Sequence, residues 1–496
     1  MPDDGSRGQA NGGGDAETCA VAAMDATHTG DSRTPESDGS VARPSLHRID
    51  PRAGREHIAL RWWSGNSRVW RIAREMLKRI PFARASVRWT LRTFRFHRLY
   101  FYLWYFAVPA TQRRWRQLCR LSAYAGRPDV STFALTAAVQ VELGGIPVFP
   151  SSKGLSLAAP DEKSAFGEVL VAAVENATIH GKTNLIDAGD QVIHHDFYDF
   201  EHDSTSEELH GRAIVDAGNS RIRRLDYDAE AVRLPLGAAF VDACAANYAH
   251  WLSEVLPRIV LFCGDDRFRD VPVVVDADLH GNILESLYSI VGSDREVITL
   301  PVGRSISFDL LYVTGATGYV PFGRRPGKVT GHSHGLFNPV AADAMRKAFR
   351  EIGVQRPDRG TARRIFLKRN STGRRLLNSS VIERLLLDRG FHIFEPEKSS
   401  FAEQVSMFRW ADVVVGATGA ACANIVFCRP GTRVGILMGK HRDMPYRYWA
   451  NMACPLGVDM SYVVGRIEAS RSLGIHGDFR VDPDDLIDFL DTVASA

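Results

Sequence analysis

The chain has 496 residues, of which 45% are hydrophobic and 24% charged, enough to bury a large core divided among several domains. Its seven cysteines, at 19, 119, 244, 263, 422, 428 and 454, form no Cys-x-x-Cys pair and no metal-ligand spacing, so a reduced cytosol is the simplest setting. The net charge is +3, no charged-then-apolar signal sequence is present, and no apolar run reaches the ~20 residues that span a bilayer. A cytoplasmic protein, soluble or on the inner face of the membrane, is expected.

Residues 1–45 are rich in Gly, Asp, Ser and Thr; they cannot offset their ordering entropy by burial and read as a disordered tail. Residues 46–130 read as a basic, amphipathic helical region. Within it, residues 61–120 hold fifteen Arg or Lys against one acid, Glu75. Over residues 68–80, Val69, Ile72, Ala73, Met76, Leu77 and Ile80 form one stripe and Arg68, Arg71, Arg74, Lys78 and Arg79 the other side, the pattern of an amphipathic helix that Pro81 stops. The apolar run Leu99–Val108 is too short to cross a membrane but suits an interfacial segment with aromatic anchors. Three readings compete here: a helix docked on the core, contact with an anionic membrane surface, and nucleic-acid binding, which lacks any reader motif.

Residues 131–335 read as a first lobe with a β-rich entry, from the short runs Val169–Val171, Ala177–Ile179 and Gln191–Ile193. A strand around Ala239–Val241 leads to a helix from Asn247, on which Asn247, His250, Glu254 and Arg258 share one side and Leu252, Val255, Leu256 and Ile259 the other. Pro257 should kink it or shift its end. Imidazole and carboxylate at i and i+4 suit either a base with its orienting partner or an ion pair at a lobe interface. Val271–Asp276 reads as a buried strand. The Asp276-Ala-Asp278 that ends it is either a strand-end loop or, as the lesser option, a divalent-metal site. The Gly/Pro-rich stretch 315–335, with Arg324, Arg325, Lys328, His332 and His334, should link the lobes or rim a cleft.

Residues 336–496 read as a second lobe of alternating strands and crossover helices. Helices are expected over Pro339–Ile352, around Val381–Leu386, from Ser400 to Trp410, and over Pro483–Ala494. Strand Arg364–Leu367 runs into the cations Lys368 and Arg369, followed by Arg374, Arg375 and Asn378. Strand Asp412–Val415 runs into Gly416-Ala-Thr418-Gly419-Ala420, with Asn424 beyond. In parallel sheets ligands bind past the carboxyl ends of the strands. Glycines let the backbone approach closely there, so cations beside a Gly-rich helix start predict a diphosphate site.

Arg369, Arg374-Arg375, Asn378, Gly390-Phe391, Glu397, Phe401, Gln404, Ala411-Asp412, Gly416, Gly419-Ala420, Asn424 and Pro430-Gly431 fall in the order found in glycosyltransferase family 61. The run Asn247-Tyr-Ala-His-Trp251 is similar to that family's Asn-Tyr-x-His-Trp signature. The resemblance covers roughly Glu168 to Gly465. It implies an α/β fold of two Rossmann-like lobes (GT-B type), a nucleotide-sugar donor, and inverting transfer to a glycan or lipid-linked acceptor in surface (capsular) polysaccharide synthesis, without a metal cofactor. On it, His250 and Glu254 are the expected catalytic pair. Lys368, Arg369, Arg374, Asn378, Gln404, Gly416, Thr418, Gly419, Ala420 and Asn424 are the expected donor-binding residues. Thr418 stands where the family usually has His, and Ser379 where Glu is usual. The alternative is a non-catalytic glycan- or membrane-binding assembly protein that keeps the fold.

Overall fold

The computed structural model describes residues 46–48, 114–150, 163–209, 212–224, 231–321, 323–324, 335–350, 363–370, 373–441, 444–468 and 474–494. The tail 1–45, the amphipathic stretch 68–80, the aromatic run 99–108 and both loop histidines, His332 and His334, lie outside them. The basic region is not helical throughout. Leu46–Arg48 is a strand beside Val297–Leu300, and Arg116–Arg120 is a strand parallel to Gln191–His194. Arg116 pairs with the buried Asp187, so part of the basic charge is spent on the first sheet.

Two large sheets carry the chain. The first has twelve strands. Its parallel part places Val297–Leu300, Val273–Asp276, Val232–Ala239 and Ser305–Thr314 side by side, a chain order of 3-2-1-4. Val169–His180 then adds antiparallel to Ser305–Thr314. Of the three short runs expected after Phe166, Val169–Val171 and Ala177–Ile179 merge into this one twelve-residue strand and Gln191–Ile193 lies in the strand Gln191–His194; Ile186–Ala188 is a further strand between them.

The second sheet orders its parallel strands as His392–Phe394, Arg364–Leu367, Val413–Ala417, Arg433–Gly439 and Asp459–Ile467, which is 2-1-3-4-5. Val273–Asp276 and Val413–Ala417 are buried at every position, as strands covered on both faces must be. In both orders the strand direction of growth reverses once, between Val232–Ala239 and Ser305–Thr314 and between Arg364–Leu367 and Val413–Ala417. Crevices for ligands form at the carboxyl ends of such pairs.

The helices expected at Ser400 and Pro483 form as Phe401–Trp410 and Pro483–Ala494. The first opens with a capping box in which Ser400 and Glu403 satisfy each other's backbone N–H groups. The helix read over Pro339–Ile352 ends at Ala348.

The sheets are not separate bodies. One buried cluster holds Trp251, Leu256 and Phe262 beside the first sheet and Phe401, Phe408 and Val426 beside the second. Each such side chain contributes about 1.5–3 kcal/mol by leaving water. Phe349 packs into the second group, with its ring 5.1 Å from Phe401 and 5.8 Å from Phe427. Glu285, on helix Gly281–Val291, accepts from the backbone N–H groups of Phe401 and Ala402 at 2.8 and 3.0 Å. A residue of the first unit thus caps a helix of the second, where an anion is favoured. The sequence boundary between lobes is crossed early as well: Val148–Phe149 pairs with Tyr462–Val463 of the second sheet.

Candidate active site

The helix that leaves the first sheet's central strand begins where Asn247 accepts from Ala249 N–H at 3.0 Å. It is α-helical over Tyr248–His250, widens to a π-turn over Trp251–Val255, and resumes as an α-helix over Leu256–Cys263. Pro257 has no N–H to give the carbonyl of Ser253, and the wide turn absorbs that loss. Gly318 fills the space beside it; a Cβ there would lie 2.2 Å from the Ser253 oxygen.

The π-turn carries His250 and Glu254, with His250 Nδ1 2.5 Å from Glu254 Oε1. The imidazole retains 20% side-chain exposure against 10% for the carboxylate. Burial pushes the Glu254 pKa up, while His250 and the Val320 N–H pull it back. Arg258 turns inward instead of sharing an exposed side. Its Nε donates to the Glu254 carbonyl at 2.8 Å and its Nη2 lies 3.9 Å from Asp242 Oδ2.

Asp276 is fully buried and accepts from Lys182 N–H at 2.7 Å and Asp242 N–H at 2.8 Å. Both oxygens are thus occupied, and burial raises its pKa to about 6. Asp276 is a backbone organiser at the strand ends. Among the described residues no cluster of His, Cys, Asp and Glu has the arrangement of a metal site.

Across the cleft, Arg369 follows strand Arg364–Leu367. Its Nε and Nη2 donate to the Gly373 carbonyl at 3.3 and 3.1 Å, and its Nη1 to the Thr418 carbonyl at 3.3 Å. The guanidinium lies directly on Gly419, where a Cβ would be 1.7 Å from Nη1. Glycine is required by that approach alone, because Gly419 is extended. Ala420 opens a 3-10 helix, Ala420–Phe427, in place of the α-helix read from the sequence. Arg374, with φ of 52°, acts electrostatically on Tyr448 and Cys422.

Tyr448 joins the two halves. Burial holds its phenol protonated well above the usual range, Glu254 acts on it from one side and Arg374 from the other, and it hydrogen-bonds to Ser253. Tyr448 thus lies within electrostatic reach of both Glu254, the partner of His250, and Arg374, while Arg369 rests on Gly419.

Several expected donor contacts have other work. Asn424 is fully buried; its Oδ1 accepts from Tyr248 Oη at 2.7 Å and its Nδ2 donates to Gln404 Oε1 at 2.8 Å and the Ala421 carbonyl at 3.2 Å. Gln404 donates to the carbonyls of Pro396 and Ser399. These two residues order the loop, and Asn424 ties it to Tyr248 of the first half. Asn378 pairs with the backbone of Val481. Lys368 pairs with Glu383 at 3.1 Å. Thr418 is buried, with its Oγ1 accepting from Trp449 Nε1 at 3.1 Å, and Gly416 is a buried strand residue packed on Leu367. Tyr448, Trp449 and Asp242 were not singled out by sequence, and Arg258 only as part of the helix's polar side. The aromatic pair beyond strand Arg433–Gly439 was the one available signal.

The glycosyltransferase 61 family model matches residues 248–435. Residues 248–435 are thus a glycosyltransferase family 61 domain. The matched segment opens at Tyr248 on the π-turn helix and closes inside strand Arg433–Gly439, so it contains His250 and Glu254 together with Arg369, Arg374 and Gly419. It is narrower than the Glu168–Gly465 span of the motif resemblance. No curated protein matches the chain. The domain supports an enzyme, a glycosyltransferase.

Proposed function

We propose that the family 61 enzyme performs an inverting transfer from a nucleotide-sugar to a hydroxyl of a glycan or lipid-linked acceptor, in surface polysaccharide synthesis. The two sheets act as the lobes of a GT-B arrangement. The observation that carries this reading is one buried tyrosine, Tyr448, acted on both by Glu254 of the first half's His–carboxylate pair and by the Arg374 guanidinium of the second half.

In this reading Arg369, Arg374 and the Gly419–Ala420 backbone hold the donor diphosphate. His250 takes the proton of the acceptor hydroxyl as its oxygen attacks the anomeric carbon. The bond from that carbon to the diphosphate breaks on the opposite face, and its electron pair leaves with the nucleoside diphosphate. Fixed cations meet the charge that develops there, in place of a divalent metal. Glu254 fixes the imidazole tautomer and stabilises its protonated form. Lys368 neutralises Glu383 and stands behind the donor site rather than in it.

Incubating the protein with a panel of UDP-, GDP-, CMP- and TDP-sugars tests the reading, because a ligand that prefers the folded state raises the unfolding midpoint. A rise with one donor, lost in Arg369→Ala, supports it; no rise with any donor overturns it. We assign the enzyme to the cytoplasmic face of the membrane through residues 61–120, whose charge is drawn to anionic lipid and screened by salt. Equal vesicle binding with and without residues 1–113, at low and high salt, would refute that assignment.

A further inference from the structure

The second sheet has a cavity at its other end. It encloses about 700 Å³ and is lined by Arg363, Arg364, Arg389, Arg433, Asp412 and Val493, among others. Arg364, Val413 and Arg433 begin the strands Arg364–Leu367, Val413–Ala417 and Arg433–Gly439. The cavity therefore sits at the amino ends, separated from the turn that holds the Arg369–Gly419 contact by the full strand Val413–Ala417, about 13 Å long, and no step of the proposed transfer uses it.

Its charges do not cancel. Among the described lining residues Asp412 is the one carboxylate, and both its oxygens are engaged: Oδ2 by Arg363 and Oδ1 by Arg429 Nη2, the latter at 3.0 Å. The other three guanidiniums touch only carbonyl oxygens among the described residues. Arg364 Nη1 donates to Arg389 O at 3.2 Å, Arg389 Nη1 to Leu385 O at 3.3 Å, and Arg433 Nη1 to Val493 O. These bonds aim the side chains without neutralising them. Three like charges converging on one concave wall disfavour one another unless an anion joins them, and the planar fork of Arg matches phosphate oxygens in pairs. The volume suits a small ligand.

We propose that this cavity is a second anion site, which binds a phosphomonoester or diphosphate group independently of the transfer site. Such a group could belong to a soluble sugar phosphate or to a lipid headgroup, and both present the same oxygens to the arginines.

Hydrogen–deuterium exchange of the full chain with inorganic pyrophosphate locates the site. Protection is expected in peptides covering 387–392 and 429–435, with at least tenfold weaker pyrophosphate binding in Arg364→Gln and an unchanged effect there in Arg369→Ala. Protection confined to 416–422, or unchanged in Arg364→Gln, would overturn the proposal. Arg364 is exposed, so the variant should fold. Arg389→Lys, which keeps the charge but loses the fork, is the second variant, expected to weaken binding by a smaller factor. Phosphatidate vesicles form the parallel arm. Protection by vesicles that is lost in Arg364→Gln assigns a headgroup, protection by pyrophosphate alone assigns a soluble ligand, and protection by neither refutes the site.

Discussion

The two reversal points are built from opposite charge. At the first, Glu254, Asp242 and Asp276 are buried around one buried cation, Arg258. At the second, Arg369 and Arg374 are partly exposed beside a glycine loop. Similar strand geometry thus serves two chemistries. In the proposed mechanism, carboxylates held away from water would keep an imidazole oriented and able to accept a proton, while the partly exposed guanidiniums would receive an anion that must arrive and leave. On that proposal burial suits the group that stays, and exposure the group that would meet a diphosphate each turnover.

Breaking the acidic half should have the largest effect. His250→Ala is expected to lower turnover by ~10²–10⁴ with donor affinity little changed, since a positioned base contributes that order, and Glu254→Gln should cost less. Steady-state rates beside binding isotherms would expose an error if both parameters fell together.

The same half should register in stability. Below about pH 4 Asp276 is protonated in folded and unfolded chains alike. As the pH rises towards its folded pKa of about 6, the unfolded chain loses the proton and the folded one keeps it. Stability therefore falls through that window, by on the order of 3 kcal/mol. Asp276→Asn should remove this fall and leave one of the two backbone N–H groups facing an amide NH₂, at about 1–3 kcal/mol. Urea unfolding of both proteins from pH 4 to 7 would separate the two terms.

The cationic half should fail differently. Arg369→Ala is expected to weaken donor binding by about 1.5–3 kcal/mol, the range of a charge-assisted contact, with the fold intact. Gly419→Ala should reproduce it, because the new methyl displaces the guanidinium without straining an extended backbone. Calorimetric titration of both variants with the nucleoside diphosphate would contradict the assignment if Gly419→Ala bound normally. The smallest effect belongs to the seam: Tyr248→Phe removes one hydrogen bond to Asn424, about 1 kcal/mol, and should appear as a lowered unfolding midpoint.

Local order made much of this legible. The i,i+4 spacing of His250 and Glu254, the cation at the end of strand Arg364–Leu367 and the Ser400 cap are all written within a few residues. What the sequence did not disclose is who partners whom over distance. Asn378 meets Val481, Asn424 meets Tyr248, and Thr418 meets Trp449. An amide or hydroxyl reads the same whether its partner is a nucleotide or a distant backbone group, so three expected ligand contacts turned out to be joints. The π-turn was hidden for a related reason: Pro257 announces a lost hydrogen bond but not which way the helix yields. Residues 61–113, where the sequence is most unevenly charged, lie outside the described structure.

The short strand Val148–Phe149 has a practical consequence. It lies against Tyr462–Val463, and its Phe149 ring sits 5.7 Å from Phe489 of the last helix. Helix Phe401–Trp410 likewise takes its N-terminal partner from Glu285. A fragment cut at residue 335 would present an empty slot for Phe149 and an uncapped helix end to solvent. Expression of either half alone should yield aggregating material, whereas the two halves produced together should find each other and reassemble. Domain-swap chimaeras within the family would have to carry residues 148–149 with the C-terminal half to stay soluble.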